Sequence, residues 1–186
     1  TKNWINKNVK GGFAEDCELS LDIDFIKSPK VKNLQLNWLH KDSKISFYKN
    51  LPAFILPEAR ININRDQMII DFNEASLARF GIGKGQLKIS PIFNRMAKAS
   101  LKIKGQSDLQ DALKFFNHKD LNLISKYRIG TNGVGKVFFE SNFTWPIKPV
   151  IKKHEFLWNV NAHGNELALS SLPLNLKATE SKIKIS

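Results

Sequence analysis

The sequence predicts a mainly all-β protein: an elongated, twisted antiparallel sheet, curled into a trough with an apolar inner face, plus one or two short helices. Two observations predict it. First, apolar and polar residues alternate at Leu19/Leu21/Ile23/Phe25, Leu34/Leu36/Trp38, Ile61/Ile63, Met68/Ile70/Phe72, Leu87/Ile89 and Leu101/Ile103. The same beat returns at Phe143/Trp145, Phe156/Trp158/Val160, Leu167/Leu169, Leu174/Leu176 and Ile183/Ile185. Successive strand side chains point to opposite faces, so a period of two means one apolar and one wet face. Second, helical spacing is confined to the region 107–118, where Leu109, Ala112, Leu113 and Phe116 fall on one stripe.

The elements follow in order. Trp4 to Val9 suits a short helix or turn ending at Gly11-Gly12. Strands are expected over 13–26, 31–40 and 43–48, with turns at Ser28-Pro29 and Lys41-Asp42-Ser43. Leu51-Pro52 and Leu56-Pro57 bracket an apolar loop; proline lacks the N–H a ladder needs, so this segment reads as an edge or a crossover. Strands resume over 59–64, 67–72 and 75–80, the first two joined through Arg65-Asp66. Gly81, Gly83 and Gly85 read as a turn or bulge before the strand that starts at Gln86. A helix capped by Ser107 or Asp108 fits 107–118, its apolar stripe covering the sheet. Strands return over 122–129, 134–145, 154–163, 165–170, 173–179 and 181–186.

Length and composition bound the protein further. A chain of 186 residues is one β-rich domain or segment with enough surface for a core. Its 29 Lys+Arg against 17 Asp+Glu give a net charge of +12, which suits either an anionic partner or a well-solvated strand face. With Cys17 as the one cysteine, no intrachain disulfide forms. No apolar run approaches a membrane-spanning length of about 18 residues. The start at Thr1 and the stop inside Lys182-Ile-Lys-Ile-Ser read as cuts in a longer protein whose signal or anchor lies elsewhere.

Catalytic chemistry finds little support. Gly130 to Lys136 matches G-x-x-x-x-G-K, but Val137 stands where a phosphate-binding loop needs Ser or Thr. The following Val137-Phe138-Phe139 is strand-like, so a hairpin turn is expected there. His40, His118, His154 and His163 are scattered without a metal-site spacing. There is no G-x-S-x-G elbow, and Asp22 and Asp24 sit on the wet beat of a strand. Neither an enzyme nor a cofactor or metal is expected. Nucleic-acid platforms interleave aromatics with cations on one face, whereas here Lys102 and Lys104 take the beat opposite Leu101 and Ile103. A nucleic-acid partner is therefore not expected.

The order of features resembles the AsmA-like superfamily, and within it the central region of YhdP-type proteins. The marks are Trp4-Ile5 before Gly11-Gly12, then Phe47-Tyr-Lys-Asn-Leu-Pro52 and the meander through Gly81–Gly85. Leu101-Lys-Ile-Lys-Gly105, Leu109-Gln-Asp-Ala-Leu113 and the glycines Gly130, Gly133 and Gly135 ahead of Val137 to Pro146 complete the series. The resemblance implies a longer periplasmic protein anchored in the bacterial inner membrane. It implies a trough that moves phospholipid toward the outer membrane, without catalysis and without catalytic residues to carry over.

The residues expected to line the trough come from the alternation itself. They are Leu19, Leu21, Ile23, Phe25, Leu34, Leu36, Trp38, Ile61, Ile63, Ile70, Phe72, Leu101, Ile103, Phe156, Trp158 and Val160. Acyl chains gain about 25 cal/mol per Å² of apolar surface buried against such a wall. Lysines on the outer beats suit an anionic membrane surface or plain solubility. The alternatives are an envelope scaffold whose greasy face is filled by its own 107–118 helix, and a basic binder of an anionic polymer.

Overall fold

The computed structural model describes residues 6–26, 29–46, 51–92, 96–119, 132–148, 155, 157–171 and 174–185; for 158, 165–171 and 174–185 it describes the backbone alone. One antiparallel sheet dominates. Its strands are β1 (Val9–Asp24), β2 (Lys30–Ile45), β3 (Phe54–Asn64), β4 (Met68–Phe72), β5 (Ala75–Leu77), β6 (Phe80–Ser90) and β7 (Lys98–Asp108). Helix α1 (Leu109–Phe116) follows, then β8 (Asn132–Pro146), β9 (Leu157–Ser171) and β10 (Leu174–Ile185). The spatial order is β1-β2-β3-β4-β6-β7-β8-β9-β10, with short β5 pairing both β3 and β6. The N-terminal helical turn covers 6–8 and gives way to β1 ahead of Gly11-Gly12. The expected strand 122–129, Phe47 to Asn50, Gly130 and Phe156 lie outside the described residues.

The expected turn at Lys41-Asp42-Ser43 instead lies inside β2, near its C-terminal end. Asp42 takes a positive φ of 55°, a kink that a short polar residue accommodates without ending the strand. Across from it, Pro57 lies inside β3, where an edge or crossover was expected. On its other side β3 pairs β5 at Phe54 and Ile55 and β4 from Arg60 to Ile63. The stretch around Pro57 thus falls in the gap between the two partners, where no ladder needs the missing N–H.

The glycines at 81–85 sit within β6 rather than between strands. The register shifts between Ile82 and Lys84, so the bulge reading holds at Gly83. Likewise Asn132 to Lys136 belong to β8, with a register shift at Gly135 (φ 116°). Strand, not helix, follows this glycine-rich stretch, as Val137-Phe138-Phe139 implied, but 132–136 are themselves strand and not the hairpin turn expected there. The expected breaks between 163 and 165 and between 179 and 181 are absent, because β9 and β10 pair continuously from Leu167↔Ala178 to Val160↔Ile185. At the β3–β4 turn, Asn64 Oδ1 accepts the backbone N–H groups of Asp66 and Gln67 at 2.9 Å each. This side-chain turn replaces the ladder for two residues.

Helix α1 starts where expected. Asp108 holds the N-cap position in extended geometry, with no capping bond from its side chain. The adjacent Ser107 hydroxyl bonds the Asp108 carbonyl at 3.1 Å. Leu109, Ala112 and Leu113 are buried, and Leu109 and Leu113 pack with Val137. Phe115 meets Phe80 edge-on at 4.9 Å, and Phe80 meets Phe139 at 5.4 Å. The helix therefore covers one end of the apolar face over β6–β8.

Candidate functional site

The apolar face is best followed along cross-strand rows. One row runs Leu19–Leu36–Ile63–Met68–Ile89–Ala99–Trp145, crossing from β1 to β8. A second runs Trp38–Ile61–Ile70–Leu87–Leu101–Phe143–Trp158, from β2 to β9. A third places Phe72, Ile103 and Val160 in one line through Gly85 and Ser141. Leu21 pairs Leu34, and Ile23 pairs Val31, on the same side of β1 and β2. Register thus brings fourteen of the sixteen expected lining positions to this face. Phe25 falls just beyond β1 and is exposed; Phe156 lies outside the described residues.

The environment of these residues splits in two. Ile61, Ile70, Phe72, Leu101, Ile103 and Val160 are buried, with no more than 5% of their surface accessible. Ile45, Phe54, Leu56 and Trp145 join Ile70, Phe72, Leu87 and Leu101 around a single cavity of about 20 Å³. Five strand steps of about 4.8 Å separate β2 from β8 in a flat sheet, so sharing one cavity requires the face to curl onto itself. Such a cavity has room for about one water. Here the wall is filled by its own side chains. Their alternation signal was already present at Met68, Leu87, Ile89, Phe143 and Trp145, which belong to the same rows as the sixteen.

Toward β1 the same face opens. Along the first row, accessibility rises from 1% at Trp145 and 0% at Ala99 to half-buried Ile63 and Leu36, and then to 64% at Leu19. Leu21 is 48% exposed, and Val31 beside Ile23 is also exposed. Leu34 and Trp38 are half-buried. The outer beat of this strand pair mixes Glu15, Glu18, Asp22 and Asp24 of β1 with Lys30, Lys41 and Lys44 of β2. Lys41 bonds Glu15 at 2.8 Å, and that carboxylate raises the Lys41 pKa through the hydrogen bond first and its charge second.

Two further features frame the open region. A hollow of about 410 Å³ lies where β1 bulges, lined by Asp16, Glu18, Asn37, Trp38, Leu39, Arg60 and Asn62. Asn62 donates to Asn37 inside it. On the inner side His40 is half-buried, and neither ring nitrogen has a hydrogen-bond partner. It packs against Gly12, where a Cβ would sit 2.5 Å from Nε2. Burial lowers the His40 pKa.

That burial sets a pH dependence. The unfolded imidazole titrates near about 6.5 and the folded one lower, so between the two values the unfolded chain holds more protons. Stability is complete above the unfolded value and falls as pH drops through the folded one. Urea midpoints measured from about pH 7.5 down to about pH 5.5 are expected to decline. H40L is expected to flatten part of that decline; parallel curves for the two proteins would remove His40 as the cause.

Among the described residues no three His, Cys, Asp or Glu side chains gather as a metal site, and no helix is long and apolar enough to cross a membrane. No family profile, curated protein or solved structure matches the chain.

Proposed function

We propose that this chain is a non-catalytic apolar-surface module of a periplasmic envelope protein, attached to the inner membrane through a segment outside this chain, that helps move phospholipid between the two membranes. The observation that carries the reading is the rise in exposure along one apolar row, from Trp145 to Leu19. Apolar surface left in water costs about 25 cal/mol per Å², and an acyl chain laid on it recovers that term without directional bonds. Leu19, Leu21, Ile23, Leu34 and Leu36 are the contact residues of this reading; the buried positions of β3–β8 hold the wall in shape.

A second reading is favoured by the filled interior around Ile70, Phe72 and Trp145. In it the domain is an envelope scaffold, and its open β1–β2 face packs on protein. Native mass spectrometry of the purified chain, paired with lipid extraction, separates the two. Co-purifying phospholipid that added lipid displaces and salt does not is the expected result. A folded, lipid-free chain that stays so when mixed with phospholipid would move the assignment to the scaffold.

A further inference from the structure

The outward beats of β6 and β7 carry Lys84 and Lys88 on one strand and Lys98, Lys102 and Lys104 on its neighbour. All five are exposed, because their alternate residues Leu87, Ile89, Ala99, Leu101 and Ile103 are the buried ones. Lys84 stands directly opposite Lys104 in the ladder. Like charges in that position repel. Among the described residues, Lys104 alone of the five reaches a carboxylate, that of Glu140 at 2.5 Å. The other acids on this part of the face are Asp108 and Asp71, and Asp71 already accepts Gln86 Nε2 at 2.8 Å.

From this arrangement we infer that the outer face of β6–β7 docks on a bilayer surface bearing anionic headgroups. The inference stands apart from whatever the inner face binds. Four ammonium groups that meet no carboxylate among the described residues, on two adjacent strands about 4.8 Å apart, present a broad positive field. Mobile anionic headgroups can gather under such a field and relieve the Lys84–Lys104 repulsion. Single-stranded nucleic acid would instead want stacking surfaces, and no outward residue of β6 or β7 is aromatic.

Vesicle flotation tests this. The chain is expected to float with phosphatidylcholine vesicles containing phosphatidylglycerol, not with phosphatidylcholine alone, and to be released by salt. The triple variant Lys84→Glu, Lys88→Glu, Lys102→Glu is expected to lose binding by on the order of a hundredfold, at about fivefold or more per lysine. A second triple, Lys7→Glu, Lys30→Glu, Lys44→Glu, makes the same change in net charge on exposed lysines elsewhere and is expected to keep most of it. Equal loss in both triples would reduce the effect to net charge and overturn the assignment. So would tighter, patch-dependent binding to a single-stranded oligonucleotide than to the vesicles. Circular dichroism on both variants confirms that exposed substitutions leave the fold in place.

Discussion

Phe72→Asp unfolds the domain, and Leu21→Asp leaves it folded but without bound phospholipid: these are the expected results at two positions that the alternation treats as equals. Phe72 keeps 4% of its surface accessible and meets Phe54 edge-on at 5.6 Å. Removing a buried aromatic costs about 3–5 kcal/mol, and a carboxylate left in its place adds the penalty of an unpaired buried charge. Against a domain stability of about 5–15 kcal/mol, that is enough to abolish the cooperative transition. Leu21 is 48% exposed, so an aspartate there keeps its hydration and is expected to change stability by no more than about 0.5 kcal/mol. It does place a charge where an acyl chain would lie. Asp22→Lys, on the opposite beat, serves as the control and is expected to retain lipid. Circular dichroism and native mass spectrometry on the three variants decide the matter; unchanged lipid occupancy in Leu21→Asp would clear the β1–β2 face of any lipid role.

The second large effect is expected at Gly105. A Cβ added there would stand 2.8 Å from the Phe139 ring and 3.1 Å from the Ile82 Cα, and closer still to the Gly81 carbonyl oxygen. Two of those three neighbours are backbone of the adjacent strand, which a rotamer change cannot move. Gly105→Ala must therefore spread β6 from β7, at a cost of about 3 kcal/mol in the upper range for overpacked cores. Gly83, at the bulge of the same strand pair, has open space for a Cβ, with nothing within 4 Å, and no positive φ. There an alanine only narrows the unfolded ensemble and is expected to stabilise by about 0.4–1 kcal/mol. Urea unfolding of the two variants gives both numbers; a near-neutral Gly105→Ala would mean that the strands part at little cost.

Much of this fold was legible because period two survives wherever one face is apolar. Met68-Ile-Ile-Asp-Phe72 and Lys98-Ala-Ser-Leu-Lys-Ile-Lys announce their strands and inner beats without help. The helix at 109–116 was equally plain from Leu109, Ala112, Leu113 and Phe116. Bulges hid the rest. At Asp42 and Gly83 the backbone absorbs an irregularity, so a strand continues where turn chemistry suggests a stop. The environment of the expected site was not legible at all. Ile70 and Leu21 carry the same local signal, yet one is sealed and the other open, because burial depends on how far the sheet curls and on which strand stands at its margin.

The order of the strands has a kinetic consequence. Apart from β5, each described strand pairs with its sequence neighbours in the path from β1 to β10. Each new ladder closes on the strand just before it in this order, so its loop entropy is that of one connection and not of the whole chain. Such a sheet can assemble progressively as polypeptide emerges, each strand docking on the one just completed. It should also loosen from its margins inward: amide exchange is expected to be fastest along β1 and slowest in β6 and β7, whose side chains seal the interior. Protection would then read as a gradient across the sheet, with the open apolar face at its fast-exchanging end.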